Sequence, residues 1–129
     1  MTLSDSSETR TLVYVVDDDL SVRQALQRML KSVGFKSELY GSAEEFLAAS
    51  IRDVDACLIL DLRLPGRSGL ELQRELSASG SALPTIFITA HWSSRNCDMA
   101  KAAGAIDMLA KPFDEQSLLD AIDKALGRL

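Results

Sequence analysis

The chain has 129 residues, 47% of them hydrophobic and 26% charged, which predicts one domain that buries its core without disulfides or a structural metal. No apolar run approaches the length that crosses a bilayer, and the net charge of −5 disfavours direct binding to nucleic acid phosphates. Residues 1–10 are polar and lack the regions of a secretory signal. We therefore expect a cytoplasmic protein with a flexible tail over residues 1–10 and a folded domain over residues 11–129.

The first three elements are predicted to be a strand, a helix and a strand. Residues 11–16 are β-branched and apolar and end in three acids, Asp17–Asp19. From Ser21 the apolar residues recur at helical spacing until Gly34, a typical helix stop. Residues 35–40 then form a short second strand.

The next predicted elements lead to the most informative acid of the sequence. Ser42 begins a short helix with Glu45 as its capping-box partner. The apolar run Cys57–Asp61 has no polar alternation, which is typical of a strand buried on both faces of a parallel sheet. Asp61 lies where that strand leaves the core, and we expect it to face solvent. Ligands bind at the carboxyl ends of such strands, although an Asp before Pro65-Gly66 could also only open a turn.

The last predicted elements continue the alternation. A third helix carries Leu70, Leu72 and Leu76 and ends near Gly80. Strand four covers residues 84–89, helix four residues 93–103 and strand five residues 106–109, and Asp114 caps a fifth helix that ends before Gly127. Cys57 and Cys97 have neither metal-ligand nor disulfide spacing and are expected to be reduced.

Five strands that alternate with five helices predict parallel pairing, because each right-handed crossover returns the chain to the same edge. We expect a three-layer α/β sandwich whose sheet has the flavodoxin-like order 2-1-3-4-5. Strands one and three are then neighbours, so Asp17, Asp18 and Asp61 should converge. Thr89 and Lys111 follow the next two strands along the same edge.

The convergence of three carboxylates predicts a cation. Two unit charges about 4 Å apart repel by roughly 4 kcal/mol at an effective dielectric near 20. Hard oxygen ligands favour Mg²⁺ over Zn²⁺, which prefers Cys or His. With a cation present, one carboxylate can attack a phosphoryl group, while Lys111 and the Thr89 hydroxyl are available to its oxygens.

Four motifs in chain order resemble one known family. They are Val15-Val16-Asp17-Asp18-Asp19, the run from Asp61 to Gly66, Ile88-Thr89-Ala90-His91 and Lys111-Pro112-Phe113. Together they resemble the receiver domain of two-component response regulators over about residues 11 to 127. Within that family the chain is most similar to receivers joined to helix-turn-helix transcription factors of the nitrogen-fixation type.

The resemblance implies a phosphoacceptor and its metal ligands. Asp61 would accept a phosphoryl group from a phosphohistidine on a sensor histidine kinase, with no turnover of outside substrates. Asp18, Asp61 and the backbone carbonyl of Arg63 would bind Mg²⁺ directly, and Asp17 would act through water.

The resemblance also implies roles for residues around the phosphoryl group. Thr89 would move to donate a hydrogen bond to it, and Lys111 would pair with it, with a cis peptide bond before Pro112. Arg63 and His91 occupy positions that set how fast the aspartyl phosphate hydrolyses.

The implied output is a change in the surface of the fourth helix, fifth strand and fifth helix, with a possible homodimer through it and a transcription domain outside this chain. One residue departs from the family: Met108 stands where a Tyr or Phe is usual, so coupling to this surface should be weaker or differently routed.

Two alternative functions stay open. They are a small phosphatase and a degenerate receiver that only binds a partner or dimerises.

Overall fold

The computed structural model describes residues 11–52 and 54–128. Five parallel strands form one sheet in the order β2-β1-β3-β4-β5. The strands are β1 (Leu12–Val16), β2 (Lys36–Tyr40), β3 (Ala56–Asp61), β4 (Thr85–Thr89) and β5 (Asp107–Ala110). The helices are α1 (Leu20–Ser32), α2 (Ala43–Leu47), α3 (Gly69–Ala78), α4 (Ser94–Ala102) and α5 (Glu115–Ala125). The predicted fold class and strand order are confirmed, whereas the predicted tail at residues 1–10 lies outside the described residues.

The sheet separates two layers of core. Every residue of β1, β3 and β4 is buried, as expected for parallel strands that are covered on both faces. On one face, strand residues such as Val15 and Ile59 pack with Leu30 of α1 and Ile122 of α5. On the opposite face, strand residues such as Leu58 and Phe87 pack with side chains of α2, α3 and α4. No helix within the described residues is long and apolar enough to cross a membrane.

Side-chain caps fix where the helices next to the carboxyl edge of the sheet begin. Asp19 caps α1 by accepting a hydrogen bond from the Ser21 N–H at 2.9 Å. Asp114 caps α5 through the Ser117 N–H at 2.7 Å, as the sequence predicted. Ser68 opens α3, its side chain and that of Glu71 each accepting from the other residue's backbone N–H. The two loops that precede α1 and α3 are therefore anchored at their helical ends.

The capping box that the sequence suggested at Ser42 is only half formed. The Ser42 Oγ accepts a hydrogen bond from the Glu45 N–H at 3.1 Å. The Glu45 carboxylate accepts from the N–H of Gly41 at 3.3 Å, one residue earlier than a capping box requires. The prediction was right about the cap and wrong about the reciprocal bond.

The fifth strand begins and ends one residue later than the pattern indicated. Its register against β4 pairs Ile86 with Asp107 and Thr89 with Ala110. This register carries β5 to Ala110, so that Lys111 directly follows the strand beside Thr89.

Candidate functional site

Three carboxylates meet at the carboxyl edge of the sheet. β1 and β3 are neighbours with Val16 opposite Leu60, so the acids that end these strands come together. One oxygen atom each from Asp17, Asp18 and Asp61 lies within 4.8 Å of the other two. The sheet topology therefore places these acids together, as the strand order suggested.

The Asp61 carboxylate is more enclosed than we expected from its position at a strand end. Only 9% of its side chain is exposed, and Asp17 is fully buried. Asp18 is the exposed member of the cluster. The expectation that Asp61 faces solvent was therefore wrong, because the Lys111 ammonium and the Arg63 N–H contact its two carboxylate oxygens.

Lys111 bridges two of the carboxylates from the end of β5. Its Nζ lies 2.8 Å from Asp17 Oδ2 and 3.1 Å from Asp61 Oδ2. Burial alone would lower the pKa of Lys111, but the hydrogen bonds and negative charges of the two carboxylates outweigh it, and the pKa is raised. Lys111 is therefore held as a cation between two acids.

Burial raises the pKa of Asp61 above its ordinary value. A hydrogen bond from the Arg63 N–H to Asp61 Oδ1, at 3.1 Å, opposes this shift. The negative charge of Asp17 adds to it, and the Lys111 ammonium again opposes it. The Asp61 oxygens thus have different partners, with Arg63 at Oδ1 and Lys111 at Oδ2.

Asp17 is held by its own loop and by a residue that the sequence analysis missed. Its Oδ1 accepts a hydrogen bond from the Asp19 N–H at 2.9 Å, which leaves Oδ2 for Lys111. The guanidinium of Arg23, on α1, donates to the Asp17 carbonyl at 2.6 Å. The spacing of apolar residues does not mark Arg23, although it lies only six residues after Asp17 in the first turn of α1.

Gly69 is a second residue that the sequence analysis missed. It is the first residue of α3, and a Cβ built on it would lie 2.2 Å from the backbone oxygen of Asp61. Only a residue without a side chain allows this approach. The available signal was a glycine at a helix start, where it contributes little to helix stability.

Thr89 ends β4 with its side chain buried, and its Oγ1 accepts a hydrogen bond from the His91 N–H at 2.9 Å. Its carbonyl accepts from the Lys111 N–H at 2.7 Å, which ties the two strand ends together. The Lys111-Pro112 peptide bond is cis. His91 and Arg63 are both exposed at the edge of the site.

The cluster suits a hard cation by its chemistry. All three candidate ligands offer carboxylate oxygens, and the cluster contains no thiolate or imidazole. Oxygen donors with room for water are the usual ligands of Mg²⁺. The residues present therefore fit Mg²⁺, and the site combines an acidic cluster, a buried candidate nucleophile and a lysine at the end of a parallel sheet.

This combination defines a class of signalling domain. The family described as the response regulator receiver domain matches residues 13–123, and the chain belongs to this family. It is the receiver domain of a two-component response regulator, a regulatory module rather than a conventional enzyme.

Several proteins with similar sequences or structures show which kind of response regulator this chain resembles. The chain is 44% identical over 122 residues to Nodulation protein W of Bradyrhizobium diazoefficiens, covering 95% of this chain and 54% of that protein. It is 41% identical over 124 residues to response regulator protein TodT of Pseudomonas putida, covering 96% of this chain and 55% of that protein. The chain thus spans about half the length of these curated relatives. The crystal structure of FixJ-N matches with a TM-score of 0.83 and 38% identity over 92% of this chain and 94% of that chain. These similarities confirm the predicted resemblance.

Proposed function

We propose that Asp61 accepts a phosphoryl group from a phosphohistidine of a sensor histidine kinase. The observation that carries this proposal is the Lys111 ammonium, which lies 3.1 Å from the Asp61 carboxylate inside an acidic cluster. A cation at that position pairs with phosphoryl oxygens, while the carboxylate supplies the nucleophile.

The transfer forms one bond and breaks one. Asp61 Oδ2, the oxygen beside Lys111, donates an electron pair to phosphorus, while Oδ1 stays bonded to the Arg63 N–H. The phosphorus–nitrogen bond breaks with its electron pair on the kinase imidazole, which takes a proton from solvent. The product is an acyl phosphate on Asp61, and attack by water later returns the carboxylate and inorganic phosphate.

The other site residues hold charge in place during this step. Asp18, Asp61 and the backbone carbonyl of Arg63 would hold Mg²⁺ directly, and Asp17 would hold it through water. When bound, the ion neutralises charge on the phosphoryl oxygens. The Lys111 ammonium gives up its contact with the Asp61 carboxylate oxygen and pairs with a phosphoryl oxygen instead.

The residues at the rim complete the proposed site. The Thr89 hydroxyl donates a hydrogen bond to the phosphoryl group from the end of β4. The exposed side chains of Arg63 and His91 control how water approaches the acyl phosphate. An outside phosphoester is not turned over, because the position two residues after Asp61 holds Arg63 rather than a second acid that could protonate a leaving group.

We further propose that phosphorylation changes the surface formed by α4, β5 and α5, and that this surface forms a homodimer. The added charge of about −1.5 to −2 biases a two-state equilibrium, which a transcription output domain outside this chain would detect. The relatives are about twice as long as the aligned region, which supports such a domain. The domain limits 11–129 and the cytoplasmic location stay predictions.

The decisive experiment is labelling by acetyl phosphate, followed by intact-mass spectrometry. We expect the gain of one phosphoryl group in the presence of Mg²⁺ and no gain with a chelator. Asp61→Asn should abolish the gain, and the matched control Asp98→Asn, on an exposed position of α4, should retain it. A wild-type chain that stays unlabelled with Mg²⁺ contradicts the proposal and favours a phosphorylation-independent interaction module.

A further inference from the structure

Trp92 is an exposed aromatic residue beside unfilled space. It is the only tryptophan of the chain, it lies in the loop between β4 and α4, and it is 54% exposed. It borders a cavity of about 230 Å³ between α4, β5 and α5. Cys97, Ala100, Ala105, Ile106 and Met108 form its apolar part, and Lys101, Asp107 and Lys124 line the rest. An indole that stays half exposed beside the apolar part of this cavity would gain free energy by burial against it.

The loop that carries Trp92 is attached to Thr89 at one end and to α4 at the other. The Thr89 hydroxyl oxygen accepts a hydrogen bond from the His91 N–H at 2.9 Å. The Asn96 side chain, in the first turn of α4, donates to the His91 carbonyl at 2.7 Å. Trp92 follows His91 directly, so the two hydrogen bonds of the His91 backbone constrain the segment that carries the indole.

A phosphoryl group on Asp61 would change that partner. This step depends on the proposed function, in which the Thr89 hydroxyl turns to the phosphoryl oxygen. Side-chain hydroxyls move between staggered positions, so the Thr89 oxygen that turns toward the phosphoryl group leaves the His91 N–H. The loop then loses its hydrogen bond to the Thr89 side chain and keeps its hydrogen bond to the Asn96 side chain.

We propose that Trp92 is the moving aromatic residue of this receiver and that its indole enters the cavity between α4 and β5 when Asp61 is phosphorylated. Met108 is buried at the cavity wall, and its flexible thioether adapts to a ring and makes favourable sulfur–aromatic contacts. Trp92 thereby supplies, from the neighbouring loop, the ring that position 108 lacks.

Because Trp92 is the only tryptophan, its fluorescence reports on this movement in the full, unaltered chain. The chain is treated with acetyl phosphate and Mg²⁺, and acrylamide quenching and intact mass are measured on the same sample. We expect a blue-shifted emission and an acrylamide quenching constant lower by about two-fold, as for a 54% exposed indole that loses half of its exposed surface. Labelled protein with unchanged quenching overturns this inference and leaves the proposed function intact. Absence of labelling overturns the proposed function and this inference with it.

A pair of alanine substitutions tests the cavity as the destination of the indole. Ala105→Leu fills the cavity from the loop after α4 and should label normally while its quenching constant stays high. Ala102→Leu makes the same change at an exposed position of α4 that does not line this cavity, and it should behave as wild type. Wild-type protection of Trp92 in folded, labelled Ala105→Leu protein excludes the cavity. The wild-type measurement decides the movement itself even if this variant does not fold.

Discussion

The contact between Gly69 and the Asp61 backbone makes Gly69→Ala the sharpest test of how the loop after β3 is built. A Cβ at position 69 would lie 2.2 Å from the Asp61 oxygen, so the loop must open by about 1.2 Å to reach the 3.4 Å of ordinary contact. The opposing atom belongs to the backbone, and no side-chain rotation relieves the overlap. Overpacking of this kind costs about 1–3 kcal/mol or more, and the higher helix propensity of Ala returns at most about 1 kcal/mol. Because the overlap is severe and with backbone, we take the upper end of the overpacking cost and expect a net loss of about 2 kcal/mol or more.

Urea unfolding measures this loss, and Gly80→Ala is the matched control. Gly80 has a φ of +86°, and no atom of the described residues lies within 4 Å of a built Cβ, so its substitution costs only the roughly 1–2 kcal/mol of a left-handed residue. We also expect Gly69→Ala to slow labelling of Asp61 by acetyl phosphate, because the displaced carbonyl belongs to the phosphoacceptor. Gly80→Ala should label at the wild-type rate. If Gly69→Ala is no less stable than Gly80→Ala and labels at the wild-type rate, the steric reasoning is refuted.

Three further predictions concern buried polar groups. Burial raises the pKa of Asp61, so the unfolded chain loses this proton at lower pH and the ionised carboxylate costs stability as pH rises. Asp61→Asn should therefore stabilise the domain by about 0.5–2 kcal/mol at pH 7.5 in urea unfolding, and this gain should vanish below about pH 4. A variant as stable as the wild type at both pH values would contradict this reasoning. Burial raises the pKa of Cys57 to about 12. A thiol reagent at pH 8 should therefore modify only Cys97 until urea unfolds the chain. Rapid reaction of both thiols in the folded protein would show that Cys57 is not buried. The Thr85 hydroxyl donates to Gln73 at 2.7 Å, so Thr85→Val and Gln73→Leu should each cost about 1–3 kcal/mol and the double variant less than their sum, whereas strict additivity would exclude the bond as a source of stability.

The strands and the convergence of the acids could be predicted from the sequence because both depend on strong local patterns. Uninterrupted apolar runs mark strands that are buried on both faces, and each relevant run is followed directly by an acid, Thr89 or Lys111. Alternation with helices then fixes parallel pairing, and the strand order puts Asp17 next to Asp61. Few alternatives survive those constraints.

The remaining features depend on the three-dimensional path of the loops and on which side chains reach them, which the pattern of apolar and polar residues does not encode. The burial of Asp61 involves Lys111, which comes from the end of another strand. The need for glycine at position 69 results from its approach to a backbone eight residues earlier in the chain. Arg23, in the first turn of α1, reaches the Asp17 carbonyl only through the conformation of its side chain and of the loop between them. The reciprocal bond expected at Ser42 failed because the Glu45 carboxylate found the N–H of Gly41 instead.

The central claim is that Asp61, and no other acid of the cluster, carries the phosphoryl group. Borohydride tests it most directly, because this reagent reduces an acyl phosphate to an alcohol and so converts the acceptor aspartate into homoserine. The chain is phosphorylated with acetyl phosphate and Mg²⁺, reduced, digested and sequenced by mass spectrometry. We expect homoserine at position 61 alone. Homoserine at position 17 or 18, or at none of the three positions in labelled protein, would contradict the account.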